Sequence, residues 1–213
     1  MTNSPSLPPL LPAFEPSPRQ LEILERALEL VQETGLANLT LKKVAERVGF
    51  TEAAIYRHFD SKGALLGGII ALIGSRLLGP VRALAADPSL SPTERLERMV
   101  RHHVGILRAT RGLPLILIAE GLATHDEELL ARLRAVMHEY LGLLVALLSE
   151  LGLPAGVPPA AQALYFLGLP AALGLQMRAF PERALGDDEV ERLVRYYVRS
   201  LTAPGRTSQE SAP

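Results

Sequence analysis

Between Thr40 and Lys62 the chain reads TLKKVAERVGFTEAAIYRHFDSK, and no other run restricts the fold as much. Two short stretches carry apolar residues at helical spacing, Val44, Ala45 and Val48 in one, Ile55 and Phe59 in the other, with Gly49 between them to allow a sharp turn. Thr40 is a cap for a helix over 41–48, and Thr51 caps a second of about two turns, over 52–58. Neither is long enough to stand alone in water, so both must dock on neighbours. The segment before them supplies one neighbour. Ser17-Pro18-Arg19-Gln20 places a capping serine, a first-turn proline and a glutamine three after the cap at a helix start. Leu21, Leu24, Leu28 and Val31 give that helix an apolar face, and Gly35 suits a left-handed C-cap. A further helix follows Ser61, over 62–78. Its Gly63, Gly67, Gly68 and Gly74 each cost about 1 kcal/mol relative to alanine, which fits either a soft helix or one approached closely.

The pattern predicts an all-α chain of about nine helices: a Pro-rich loose arm over 1–16, a three-helix unit over 17–62, a connecting helix over 63–80 ended by Gly79-Pro80, a larger helical domain over 81–203 and a frayed tail over 204–213. Within the larger domain, Ser91-Pro92-Thr93-Glu94 and Thr124-His125-Asp126-Glu127 read as capping boxes for helices reaching Ala109 and Leu151. Gly152-Leu153-Pro154 ends the latter, Pro158-Pro159 opens a helix to Ala179, and Gly186-Asp187 opens a last one to Leu201. The 159–179 helix is apolar nearly all round, so burial is expected, and Pro170 should kink it. An apolar content of 48% is ample for a core, and 22 basic against 23 acidic residues give no global field, so any nucleic-acid contact needs a local patch. With no cysteine, disulfides, thiolate nucleophiles and Cys-based zinc sites are excluded. The longest run free of charged or strongly polar residues, 163–175, is short for a membrane span, and no signal peptide is read, so a cytoplasmic address is expected.

The order Thr40, Val44-Ala45, Val48-Gly49, Ile55-Tyr56, His58-Phe59 and Lys62 resembles the DNA-binding motif of TetR-type transcriptional regulators, over residues 17–66. The Tyr-x-His-Phe-x-x-Lys ending is what distinguishes it from a generic helix-turn-helix. The resemblance implies a helix-turn-helix DNA-binding domain followed by a ligand-binding and dimerisation domain. It also implies that Thr40, Tyr56, His58 and Lys62 hold phosphates, and that Lys42 reaches a base. By residue type, the first turn of the second short helix, Thr51, Glu52, Ala53 and Ala54, faces base edges in the major groove, and Arg57 adds a backbone contact. These are weak readers: Glu52 accepts from a cytosine amino group, the alanines touch thymine methyls, and no arginine–guanine fork is present. All three lysines, Lys42, Lys43 and Lys62, fall in this stretch, where five basic residues oppose three acidic ones. So modest a patch calls for a homodimer on a pseudo-palindromic operator.

The bland alternatives are that Tyr56 and His58 pack, and that Lys42, Lys43 and Arg47 form a solvated face. For a small, largely apolar effector (an acyl chain, acyl-CoA or aromatic compound), the candidate contacts are His103, Glu120, Tyr140 and Tyr165, which fall on or near apolar helix faces. Small residues and an apolar stripe nominate Gly168, Ala171, Ala172, Leu175, Leu193 and Tyr197 for dimerisation. No cofactor or metal is expected, because adjacent His102 and His103 point about a hundred degrees apart on a helix. An enzyme ranks last, for want of a nucleophile–base pair, HExxH or Gly-rich phosphate loop. The expected function is a ligand-responsive repressor; the competing reading is a helical ligand-binding or interaction protein without specific DNA binding.

Overall fold

The computed structural model describes residues 14–152 and 157–202. Most of the Pro-rich arm, the Leu153-Pro154 stop and the 204–213 tail lie outside them. Among the described residues nine α-helices follow in order: α1 Pro18–Thr34, α2 Leu41–Val48, α3 Glu52–Tyr56, α4 Lys62–Ala85, α5 Pro92–Ala109, α6 Leu113–Thr124, α7 Glu127–Leu151, α8 Pro159–Ala179 and α9 Asp187–Thr202. No strand occurs among the described residues. The capping boxes at Ser17 and Ser91 form as the sequence predicts, each with Gln20 or Glu94 returning to the cap. Phe14, in the expected loose arm, is half-buried against the N-terminal core.

Four local expectations need correction. Gly35 has positive φ but extended ψ (85°, 159°), so it turns the chain without making a left-handed C-cap. The helix after Thr51 ends at Tyr56 rather than His58. The α7 cap is Asp126, whose side chain accepts from the Leu129 N–H at 2.9 Å, while the Thr124 hydroxyl turns back to the Glu120 carbonyl on α6. A carboxylate is the better acceptor at a helix N-terminus, and it takes the cap. Finally, α4 does not stop near Leu78 but runs through Pro80 to Ala85. Proline lacks the N–H that would bond the Arg76 carbonyl four residues back. His102 of α5 takes its place, with Nε2 2.8 Å from that carbonyl oxygen. The acceptor is a carbonyl, so Nε2 carries the hydrogen.

α4 belongs to both hydrophobic cores. Leu65, Leu66, Ile69, Ile70 and Ile73 join α1–α3 in the first, which also holds Leu113 and Leu117 of α6 and Leu129 and Leu133 of α7. Leu77, Leu78 and Val81 join α5, α7, α8 and α9 in the second. α4 and α8 are long and apolar enough to cross a membrane; in α4 that apolarity lines the two cores. The glycines allow close approach. A Cβ on Gly68 would stand 2.7 Å from Leu24 and 3.0 Å from Phe59, one on Gly74 2.8 Å from Val136, and one on Gly67 3.1 Å from Arg132. Between the two readings of these residues, a soft helix or a crowded one, the contacts favour crowding. α8 is only half covered in the single chain. Phe166, Pro170 and Leu173 face inward, whereas Leu164, Tyr165, Gly168, Ala171, Ala172 and Leu175 form an exposed stripe.

Gly68→Ala should lower stability by about 1 kcal/mol, since crowding costs roughly 1–3 kcal/mol and alanine returns only about 1 kcal/mol of helix propensity. Gly105→Ala, on the open face of α5 with nothing within 4 Å, should instead gain up to about 1 kcal/mol. Urea midpoints of the two variants check the opposite signs.

Candidate nucleic-acid interface and effector cavity

The docked face of the two short helices is dry: Val44 and Ile55 are fully buried, and Leu41, Ala45 and Phe59 nearly so. Gly49 sits in the left-handed region (φ 79°, ψ 30°) and its N–H closes α2 onto the Ala45 and Glu46 carbonyls. Only a residue without a Cβ takes that turn at low cost, and the turn aims α3 across α2. Thr40 Oγ1 accepts from the Lys43 N–H and Thr51 Oγ1 from the Ala54 N–H, both at 3.2 Å. Each hydroxyl keeps its hydrogen for an outside acceptor.

The opposite face is open. Thr40, Lys42, Thr51, Glu52, Ala53, Arg57 and Lys62 are exposed, Tyr56 is 50% exposed, and Ala54 and His58 are half-buried. Tyr56, half exposed, is not closed into the core, against the packing alternative for it, whereas His58 is half-buried. Lys42, Arg57 and Lys62 make no ion pair among the described residues, whereas Arg47 is tied to Glu33 of α1 and Lys43 Nζ lies 3.4 Å from Asn38 Oδ1. The available cations are therefore fewer than the sequence count. Ser61, which precedes that helix in the sequence, caps α4 by accepting from the Ala64 N–H at 3.0 Å, leaving other N–H groups of the first turn beside exposed Lys62. A helix N-terminus with no acid in its first turn favours an anion.

The four effector candidates divide. His103 and Tyr140 come together, ring centroids 4.6 Å apart and edge-on, both buried. Neither His103 Nδ1 nor the Tyr140 hydroxyl has a hydrogen-bond partner among the described residues. Burial pushes the His103 imidazole down to about 4, with His102 adding a smaller push, and burial also raises the Tyr140 phenol. Glu120 is half-buried elsewhere on α6, and Tyr165 is 59% exposed on the outer stripe of α8. Periodicity alone could not tell which apolar face turned inward. His103 lines a cavity of about 50 Å³ whose other walls are apolar side chains of α4, α5, α6 and α7. A groove of about 400 Å³ runs outside it between α1, α4 and α7. Of the dimerisation candidates, Gly168, Ala171, Ala172 and Leu175 lie on the exposed stripe of α8. Leu193 and Tyr197 are half-buried against the second core, Tyr197 edge-on to Phe166 at 5.9 Å. Tyr196, 72% exposed and not among those candidates, is the open aromatic of α9.

Residues 23–69 match the family model of the bacterial regulatory proteins, tetR family. The nucleoid occlusion factor SlmA of Marinomonas sp. (strain MWYL1) is 29% identical over 142 residues, covering 67% of this chain and 72% of that protein. Among solved structures, a TetR/AcrR-family transcriptional regulator from Thermobifida fusca superposes with a TM-score of 0.65 at 29% identity, over 85% of this chain and 97% of that one. AibR, solved with isovaleryl coenzyme A and operator DNA, superposes with a TM-score of 0.65 at 25% identity, over 88% of this chain and 100% of that one.

The buried histidine makes a pH prediction. Its folded pKa, about 4, lies below the value of about 6.5 for the unfolded chain, so between these limits the unfolded state binds the extra proton. Stability should therefore fall as pH drops from 6.5 toward 4, by up to roughly 3 kcal/mol. His103→Leu should remove that part of the slope, as read by urea unfolding at pH 7 and pH 5; an unchanged slope would place the titration elsewhere.

Proposed function

Because the chain belongs to the TetR family of bacterial transcriptional regulators, we propose that it is a homodimeric repressor, released from a pseudo-palindromic operator by a small, largely apolar effector. The observation that carries this reading is the pairing of one exposed face, Thr40, Lys42, Tyr56 and Lys62 around capped helix starts, with an apolar cavity in the core behind it. In this reading the hydroxyls of Thr40 and Tyr56 donate to phosphates, His58, Arg57 and Lys62 add charge-assisted contacts, and the N–H groups of the first α4 turn meet a phosphate directly. Lys42 and the first turn of α3, Thr51 to Ala54, lie against base edges. The exposed stripe of α8 with Tyr196 of α9 is the face for a second copy.

A packed route joins cavity and interface. Leu107 and Pro114, on the cavity wall, flank the α5–α6 turn, where Arg111 and Gly112 both have positive φ (48° and 69°). Gln32 Nε2 of α1 donates to the Ala109 carbonyl at 3.0 Å on one side of that turn. On the other side, a Cβ on Gly112 would stand 2.7 Å from the Gly174 carbonyl oxygen of α8. A ligand that spreads α5 from α6 moves a turn touching both the DNA-reading unit and the candidate dimer helix, and so selects a different spacing of the two α3 helices. The acyl-CoA bound by AibR, a structural neighbour along nearly its whole length, supports the apolar effector class. A second reading has DNA occupancy itself as the function, with no effector; the likeness to nucleoid occlusion factors favours it.

In fluorescence anisotropy with operator fragments, Tyr56→Ala with Lys62→Ala should abolish specific binding, and Lys62→Ala alone, which removes one phosphate contact from each protomer of the dimer, should reduce the slope of log K against log salt by about two. Unchanged binding by the double variant contradicts the regulator reading. In a thermal-shift screen, acyl chains, acyl-CoA thioesters or aromatic compounds should stabilise the protein; stabilisation by charged metabolites alone contradicts the effector class.

A further inference from the structure

The outer groove and the inner cavity share three wall residues, Ile70, Gly74 and Val136. Val136 Cγ2 lies against bare backbone, where a Cβ on Gly74 would stand 2.8 Å from it. Ile70, and Val136 packed on that backbone, thus stand between about 400 Å³ of groove and about 50 Å³ of cavity. Against the roughly 30 Å³ that a water occupies in the liquid, the inner space holds no effector unless the division opens. His103 is the only polar side chain on the cavity wall, 7% exposed, with its Nδ1 unpartnered among the described residues. An unmade hydrogen bond at such a site costs about 1–3 kcal/mol, which a ligand group that completes it recovers.

Building on the effector reading above, we propose that groove and cavity are the outer and inner halves of one binding site with Val136 as its internal gate, and that the inner half takes an uncharged hydroxyl or keto oxygen carried on an apolar chain. The groove accommodates the chain along α4, beside Ala71 and Leu78. A hydroxyl satisfies Nδ1 in either tautomer, accepting from N–H or donating to the lone pair. In the inner half a carboxylate meets no cation: burial holds His103 neutral at pH 7 and the remaining walls are apolar, so a charge would be desolvated without a partner, while the arginines of the site, Arg82 and Arg132, stand on the outer groove, already paired with Glu139 and Glu128. Nor does a plain methyl end suit the inner half, since it leaves Nδ1 unpaired.

The test is isothermal titration of the full chain at pH 7.5 with 1-decanol and with decanoate, which share a chain length and differ in charge. 1-Decanol should bind at least tenfold more tightly. His103→Leu, which exchanges an unpaired polar group for an apolar one and should fold, is expected to weaken 1-decanol about tenfold. Val136→Ala, which widens the passage, should tighten it, and Ala71→Trp, which fills the groove, should abolish it. Decanoate binding as tightly as 1-decanol, or 1-decanol affinity indifferent to His103→Leu, overturns the proposal. Operator release by some other metabolite with no 1-decanol binding sinks this proposal and leaves the effector reading standing. Operator retention unaffected by every compound screened sinks the effector reading itself.

Discussion

The closeness of α4 to its neighbours governs everything else in this molecule. Gly68 lets Leu24 of α1 and Phe59 at the end of the helix-turn-helix rest on the α4 backbone, and Gly67 and Gly74, two turns apart, do the same for Arg132 and Val136 of α7. Each glycine costs about 1 kcal/mol of helix propensity, which apolar packing offsets at Gly68 and Gly74, while at Gly67 the neighbour is the Arg132 guanidinium. The result is a helix that belongs to two cores at once. α2 and α3, too short to persist alone, dock on α1 and on each other in a core that continues through α4 to residues of α6 and α7.

This construction bears on function. A DNA-reading unit on a soft tether would be indifferent to events in the helical domain behind it. Here the first core extends into α6 and α7, the wall of the inner cavity includes α4 itself, and His102 fixes α5 to α4 at the carbonyl that Pro80 leaves free. Packed elements respond to displacement as units, because interiors are too dense to deform continuously. With readers as weak as those on α3, a repressor of the proposed kind draws its specificity from half-site spacing and DNA shape. Spacing is the quantity that a displaced α4 or α8 would change.

How much of this was legible in the sequence follows from how local each cause is. The caps at Ser17, Thr40, Thr51 and Ser91, the turn at Gly49 and the apolar face of α2 rest on neighbours within a few residues and form as their residue types dictate, whereas on α1 Leu24, Leu28 and Val31 turn inward with Ile23 and Ala27 and leave Leu21, in the first turn, exposed. The continuation of α4 past Pro80 was not legible, because the Arg76 carbonyl that the proline leaves free is satisfied by the imidazole of His102, 26 residues on from Arg76. The same holds for the effector side. His103 and Tyr140 meet across two helices, while Tyr165, equally apolar in context, points outward, since α8 is apolar on the face it buries and on the face it leaves open. α6, entered through Gly112 without a side-chain cap, has Pro114 in its first turn as its only start signal. The exposure of Tyr56 was likewise a matter of tertiary packing, and it separates a residue available to a phosphate from one closing a core.

If α4 joins both cores into one cooperative structure, the DNA-reading unit and the helical domain must unfold together. The chain has no cysteine, so Ala53→Cys on α3 and, separately, Ala160→Cys on α8 each admit a single fluorescent label. Urea unfolding followed at the two positions should give coincident transitions with one midpoint. A transition at α3 that precedes the one at α8 would mean that the recognition helices melt independently of the domain behind them, and would contradict the role assigned to α4.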